Sequence, residues 1–223
     1  MYKWDFSVLG PYALPLLRGL GITFWISFAS VLAGTVMGLS LAICRRSRFW
    51  VLRGCAAAFI EVFLAMPVLV LLIWAYYCLP LLLDVSLSGM TTAILVFSLS
   101  LAAFVAETLR SGIDAIPVGQ IEAAMSLRLS KPDVYRFIVL PQAFRIVLPA
   151  LLTQYLTCLK LSSLAAVIAV YELLHTADGI ALATYRPLEI YTVVAGMFLV
   201  VILPINMAVR AIESRWGKRV STA

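Results

Sequence analysis

A lysine interrupts a long apolar stretch around residue 160, and polar side chains precede it at helical spacing. Thr153, Thr157 and Lys160 follow one another at i, i+4 and i+7, so a helix places all three on one face. In a bilayer, a charge at the centre of a helix costs about 2.5 to 3.5 kcal/mol and needs a purpose or a partner. Together with Ser162 and Ser163, which come next, these residues predict a polar stripe along a pathway.

The acidic residues near this stripe leave two interpretations of Lys160 open. Its ammonium group either donates to a carboxylate or carbonyl of a passing solute, or forms a structural ion pair with Glu61 or Glu172. Glu172 follows the same apolar stretch. Glu61 is interpreted as structural, and Glu107 is expected to pair with Arg110, three residues later on a helix.

Composition identifies the surroundings of these charges. The chain has 223 residues, of which 63% are apolar and only 13% charged, and its mean hydropathy is +1.03. Soluble domains are about half apolar and a quarter charged. This excess excludes a disordered chain, a secreted disulfide scaffold and a nucleic-acid binder despite the net charge of +6, and it indicates a membrane protein.

Five apolar segments are long enough to cross a bilayer, which takes about 20 residues each. They predict an all-α membrane protein with five transmembrane helices and a single domain over residues 1–223. The predicted spans are residues 16–43, 55–83, 90–109, 146–170 and 191–212.

The basic residues predict the orientation. Most of the 17 Lys and Arg residues fall on one side of these spans, which places that side in the cytoplasm and the N-terminus outside. They are Arg45, Arg46, Arg48, Arg53, Arg110, Arg128, Lys131, Arg136, Arg145, Arg210, Arg215, Lys218 and Arg219.

The loop over residues 110–145 is predicted to be folded, because it is too long for a turn and too well patterned for a linker. Ser111-Gly112 is expected to end the third span, and good helix formers follow from Gln120 to Leu127. Ser130-Lys-Pro-Asp133 has the spacing of a capping box at the start of a second helix. Glu122 and Arg128 are expected to be exposed, with Ile121, Ala124 and Leu127 on one face. Such a helix suits either another protein's groove or the lipid surface.

These segments together carry a family resemblance. Gln120-Ile-Glu-Ala-Ala-Met-Ser-Leu127, followed by Phe137-Ile-Val-Leu-Pro-Gln-Ala-Phe144, resembles the "EAA" loop of bacterial ABC importer permeases. The likeness is greatest to permeases for histidine, glutamine, arginine and glutamate/aspartate. It extends to Phe59-Ile-Glu-Val-Phe63, Ala106-Glu-Thr-Leu-Arg-Ser-Gly112 and Leu159-Lys-Leu-Ser-Ser-Leu164.

The resemblance implies the MetI-like ABC permease fold and an inner-membrane subunit with partners. These are two ATPase subunits, a second permease chain of the same or another kind, and a periplasmic binding protein that delivers an amino acid or similar small zwitterion. ATPase contact is implied for Gln120, Glu122, Ala123, Ala124, Leu127 and Arg128. The substrate path is implied for Met66, Thr153, Thr157, Lys160, Ser162, Ser163 and Glu172.

Three positions depart from the family pattern. Arg128 replaces the loop glycine, so the helix either keeps a left-handed turn at a cost of about 1 kcal/mol or runs on. Leu64-Ala-Met-Pro67 replaces an Arg-Gly-Thr-Pro-like run, and Leu161 replaces an Asp. Both of the latter changes remove polarity from the implied path, which puts a charged amino acid in question as substrate.

Other classes of function find less support. A self-sufficient, ion-coupled carrier or channel predicts inverted repeats, and no repeat is visible. A membrane enzyme needs a catalytic constellation that the sequence lacks, and no phosphate-binding Gly-x-x-x-x-Gly-Lys-Ser/Thr motif is present, so ATP hydrolysis is assigned to another subunit. No cofactor is predicted, and His175, expected in an external loop beside one Asp, does not make a metal site.

Overall fold

The computed structural model describes residues 2–217, except for the side chains of 212–217, and within that range every regular element is helical. Short 3-10 segments cover Phe6–Tyr12 and Ser162–Ile168, and Tyr135–Val139 forms a π-helical turn. Lys218 and Arg219 of the predicted basic tail lie outside the described residues. The α-helices are α1 (Ala13–Arg45), α2 (Trp50–Ala65), α3 (Val68–Tyr77), α4 (Leu79–Leu83), α5 (Gly89–Asp114), α6 (Val118–Ser126), α7 (Lys131–Val134), α8 (Leu140–Leu161), α9 (Leu173–Thr184) and α10 (Pro187–Gly217).

Four continuous helical stretches are long and apolar enough to span a membrane, and a bent pair supplies a fifth candidate. The continuous stretches are Phe6–Arg45, Gly89–Asp114, Lys131–Ile168 and Pro187–Ala211. The all-α membrane class is therefore confirmed, with four spans or five if the bent pair counts as one.

The predicted second span is broken rather than straight. The chain bends by 104° between α2 and α3, and the break lies at Met66 and Pro67. Proline has no amide hydrogen to donate, and it disfavours helical backbone in the residue before it. Met66 is accordingly extended, with ψ 133°.

The centre of the fold is the packing of α1 against α5. Ile26 of α1 and Phe97, Leu101 and Val105 of α5 belong to one buried cluster. The helices approach so closely that a Cβ atom on Gly38 would lie 2.6 Å from Val105 Cβ. Glycine in α1 is thus required by the close contact, as is common between membrane helices.

The loop before α8 is shorter than residues 110–145. Gly112 does not end the third span: α5 continues to Asp114, and a Cβ on Gly112 would overlap Val147 of α8. The predicted cap at Ser130 is confirmed, since its hydroxyl oxygen accepts a hydrogen bond from the Asp133 amide at 3.4 Å. Helical structure then runs from Lys131 to Ile168 through the π-helical turn. Only residues 115–130, here called the coupling segment, lie between these two long helices.

The coupling segment and the end of α1 lie at the same end of the molecule. Arg45, the last residue of α1, forms an ion pair with Glu107 of α5 at 2.9 Å. The Arg46 guanidinium lies 5.9 Å from the centre of the Tyr135 ring. This end is called the basic end below.

Candidate functional site

The predicted polar stripe forms on α8. Thr153 and Lys160 are exposed and Thr157 is half-buried, and the Thr157 hydroxyl donates to the Thr153 carbonyl at 3.0 Å. Among the described residues, no carboxylate forms an ion pair with Lys160. The predicted pairs with Glu61 and Glu172 are therefore not present, and the Lys160 charge lies on the surface of a single chain.

The two serines after Lys160 point in different directions, because α8 ends at Leu161 and the chain tightens into a 3-10 segment. Ser163 is partly exposed and its hydroxyl donates to the Lys160 carbonyl at 2.8 Å. Ser162 is completely buried and donates to the Leu159 carbonyl at 2.7 Å. Ser163 therefore continues the exposed stripe, whereas Ser162 faces the core.

Glu172 is buried between α1 and α9. It is the N-cap of α9, and its carboxylate accepts from the backbone amide of His175 at 2.8 Å. The Thr23 hydroxyl lies 3.2 Å from its other oxygen. The residue has no exposed surface, so in this conformation Glu172 fixes the start of α9 and does not open onto the stripe. His175 lies within α9, not in a loop as expected.

Two of the positions that depart from the family pattern are apolar and accessible. Met66 is 45% exposed at the break between α2 and α3, and Leu161 is half-buried at the end of α8. These side chains offer dispersion contacts rather than hydrogen bonds.

The coupling segment is held as a small folded unit. Ala124 of α6 is buried with Ile116, Val134 and Val139. The Gln142 side chain at the start of α8 donates to the Gln120 side-chain oxygen at 2.8 Å. Helix α6 is therefore bonded to the first turn of α8 through these two glutamine side chains.

The outer side of α6 is a mixed surface of charge and apolar groups, here called the loop surface. It comprises Val118, Glu122, Ala123, Met125 and Leu127, all exposed. Leu127 is 78% exposed, so the expectation that it shares a face with the buried Ala124 is wrong. Its place at the C-cap of α6 turns it outward.

Arg128 keeps the left-handed turn that a glycine would favour. Its φ is 61°, and its amide donates to the Met125 carbonyl at 2.9 Å while the Leu129 amide donates to the Ala124 carbonyl at 3.3 Å. This pair of bonds is the Schellman pattern, which satisfies the last carbonyls of a helix. Of the two expectations for Arg128, the strained turn is confirmed and the longer helix is wrong.

A chain of ions links α1 to α5 beside the coupling segment. Besides Arg45, Glu107 binds Arg110 at 2.5 Å, which confirms the expected local pair. Arg110 also contacts Asp114 at 2.7 Å. All four side chains are partly accessible, so the network contributes more to the fixed geometry of this end than to net stability.

Sequence reasoning missed a buried carboxylate at the opposite end. Glu189, in the first turn of α10, has no exposed surface and accepts hydrogen bonds from the Tyr2 hydroxyl at 2.5 Å and the Asp5 amide at 3.0 Å. Arg186 lies 3.3 Å away. The sequence signal that could have indicated this ion pair is the spacing of Arg186 and Glu189, three residues apart at the start of a span.

The sequence between residues 34 and 218 matches the family described as "Binding-protein-dependent transport system inner membrane component". A probable amino-acid ABC transporter permease protein, YckA of Bacillus subtilis, is 40% identical over 188 residues, covering 84% of this chain and 81% of the relative. The glutamine transport system permease protein GlnP of Escherichia coli K12 is 33% identical over 215 residues, covering 96% and 98%.

Solved structures give the same fold. A crystal structure of an amino acid ABC transporter with histidines superimposes with a TM-score of 0.90 at 31% identity, covering 96% of this chain and 100% of that one. An inward-facing structure of the MetNI methionine ABC transporter has a TM-score of 0.73 at 21% identity, covering 93% and 98%. The latter supports the fold alone.

Proposed function

This chain belongs to the family of binding-protein-dependent transport system inner membrane components, and from this premise we propose that it carries an amino acid or similar small zwitterion into the cell. The chain is a permease subunit, so the energy of ATP enters through a separate subunit. The proposed carriers of function are the stripe on α8 and the loop surface on α6.

The exposed Lys160 is the observation that carries this proposal. It lies on a helix within a span candidate, at the surface of the single chain, without a carboxylate partner among the described residues. Lipid is a costly neighbour for such a charge. A water-filled path is the arrangement that leaves the ammonium group hydrated and able to meet a substrate carboxylate.

A second permease chain supplies the other wall of this path. One chain presents Thr153, Lys160 and Ser163 on an open surface rather than around a closed channel. A second copy, or a sister chain, would cover that surface and enclose the stripe. Polar residues in bundles generally face the interior or a cavity.

The loop surface is the proposed contact with an ATPase subunit. Exposed Leu127 and Met125 supply apolar anchors, and Glu122 supplies a charge at their edge. Because α6 is bonded to α8 through Gln120 and Gln142, movement of an ATPase bound here would reach the stripe on α8. Two such chains would engage two ATPase subunits.

The orientation follows from the basic end. Arg45, Arg46, Arg110 and Arg128 gather there, and basic residues are retained on the cytoplasmic side of membranes. The proposal therefore places the C-terminus in the cytoplasm and the N-terminus in the periplasm, where a binding protein would deliver the substrate.

The side chain of the proposed substrate is uncharged. Met66 and Leu161 are accessible and apolar, and Glu172 is inside the chain, so Lys160 is the charged group left to meet the substrate. A lone ammonium group favours the α-carboxylate common to all amino acids, while the apolar positions add no partner for a charged side chain.

The test is ATP-driven uptake in proteoliposomes that contain this chain with candidate ATPase and binding-protein partners. A panel of glutamine, methionine, arginine and glutamate is compared for wild type and Lys160→Met, which keeps much of the side-chain volume but removes the charge. Uptake by Lys160→Met is expected to fall about tenfold or more, because a charged hydrogen bond is worth about 1.5 to 3 kcal/mol.

Arg18→Met is the control for a general loss of positive charge in the spans. Arg18 is exposed in α1 and is not one of the stripe residues of α8, so its variant is expected to transport normally. If Lys160→Met takes up substrate at the wild-type rate, Lys160 does not contact the substrate. If wild type prefers arginine or glutamate to glutamine, the proposal of an uncharged substrate side chain is wrong.

A further inference from the structure

Two adjoining cavities lie at the basic end, and they differ in chemistry. The first, of about 230 Å³, lies between the ends of α1 and α5 and is lined by Arg45, Arg46, Arg110 and Asp114 among smaller apolar groups. The second, of about 340 Å³, lies between α5 and α8. Leu109 and Ile113 line both cavities, so the two adjoin at these side chains of α5.

The first cavity carries an uncompensated positive charge. Arg45 and Arg110 share Glu107, and Arg110 also contacts Asp114. Arg46 forms no ion pair with any described carboxylate, and its guanidinium is held over the Tyr135 ring. The guanidinium groups of Arg45, Arg46 and Arg110 therefore outnumber the two carboxylates by one, so the Arg46 N–H groups are able to bind an anion.

The second cavity has almost no polar lining. Besides the two shared residues it is walled by Leu140, Ala143, Phe144 and Val147 of α8. A soluble anion gains nothing from such a surface, whereas a hydrocarbon chain gains about 0.8 kcal/mol for each methylene group removed from water. The occupant that suits both cavities has a negative head and an apolar tail.

We propose that the two cavities together bind one anionic phospholipid, with its phosphate at Arg46 and an acyl chain along the α5–α8 cleft. The site lies where helices α1 and α5 end, which is the depth of lipid headgroups. In the proposed orientation this is the cytoplasmic leaflet, where anionic lipids attract basic residues.

The proposed lipid would lie beside the residues that follow the coupling segment in sequence. Tyr135, against which Arg46 packs, belongs to the π-helical turn just after α7, and Leu140 and Phe144 begin α8. The bound lipid therefore fills a wedge between α5 and the helix that leads to the stripe. Binding itself does not depend on transport, so it can be tested separately.

The experiment is native mass spectrometry of the purified full-length chain with phosphatidylglycerol or with phosphatidylcholine of the same acyl chains. Wild type is expected to retain phosphatidylglycerol preferentially. Arg46→Gln should weaken that lipid about fivefold, the usual contribution of one basic residue near an anionic surface. Arg48→Gln is the matched control, because Arg48 is also exposed and lies only two residues away but lines neither cavity.

Leu140→Trp tests the tail. Leu140 is 53% exposed in the apolar cleft, so tryptophan should obstruct it and lower retention of both lipids, while circular dichroism remains that of wild type. Equal phosphatidylglycerol retention in Arg46→Gln and Arg48→Gln would overturn the proposal. If inorganic phosphate competes as strongly as the lipid does, the ligand is a soluble anion and the proposal is wrong. The proposal is also wrong if the wild-type dimer retains no lipid because the second chain covers the cleft.

Discussion

The Thr23 hydroxyl of α1 lies 3.2 Å from the Glu172 carboxylate at the start of α9. The same hydroxyl oxygen accepts from the Leu173 amide at 3.2 Å, and a Cβ on Gly19, one turn earlier, would lie 3.0 Å from Leu173 Cα. The backbones of α1 and α9 therefore lie in close contact here. The Thr23 oxygen satisfies the Leu173 amide, and the Glu172 carboxylate satisfies the His175 amide.

Glu172→Ala is expected to lower the free energy of unfolding by about 2 kcal/mol, since it removes a buried helix cap. Glu172→Gln keeps an oxygen that accepts from the His175 amide and should lose less than half as much. Thermal unfolding in detergent, followed by circular dichroism, measures both. Equal stability of Glu172→Ala and wild type would show that water replaces the cap.

Arg128→Gly is expected to stabilise the protein by about 1 kcal/mol, because glycine adopts the left-handed backbone without the cost that other residues pay. Arg128→Ala is the matched variant: it removes the guanidinium but keeps a Cβ, so the strain should remain. Melting temperatures of the two variants and wild type decide this point. If Arg128→Ala stabilises as much as Arg128→Gly, the relief comes from lost charge and not from the backbone.

Features that depend on residues close together in the sequence were predicted correctly. The cap at Ser130 depends on residues within one turn, and both its spacing and its hydroxyl are visible in the sequence. The pair of Glu107 with Arg110 likewise follows from their separation on one helix. Hydrophobicity indicated the spans for the same reason, since each one needs only its own apolar length.

Features that depend on contacts between distant segments could not be predicted in this way. Gly112 resembles a helix terminator, yet α5 continues past it because Val147 packs where a side chain would be. Glu172 resembles a pathway carboxylate, and only Thr23, some 150 residues earlier, shows that it is buried. The position of the bend was foreseeable from Pro67, but its angle of 104° was not.

Gly38→Ala is expected to destabilise the protein by about 1 to 3 kcal/mol through overpacking. The added methyl group would lie 2.6 Å from Val105 Cβ and 2.8 Å from the Ala102 carbonyl oxygen, so α1 and α5 must separate. Gly21→Ala is the control in the same helix, because nothing lies within 4 Å of its Cβ position. Thermal unfolding should leave Gly21→Ala unchanged or slightly more stable, and an equal loss in both variants would contradict the close-packing explanation.

Leu127→Ala is expected to weaken association with the ATPase subunit about fivefold to tenfold, since truncating an interface anchor costs more than about 1 kcal/mol. Leu127 is 78% exposed on the loop surface, whereas Leu81, 86% exposed in α4, lies outside the coupling segment. Leu81→Ala therefore removes the same side chain and should leave association unchanged. Binding of the purified candidate ATPase to each variant in nanodiscs, measured by interferometry, compares them directly. If the two variants bind equally, Leu127 does not anchor the ATPase, and the contact must depend on other residues of α6.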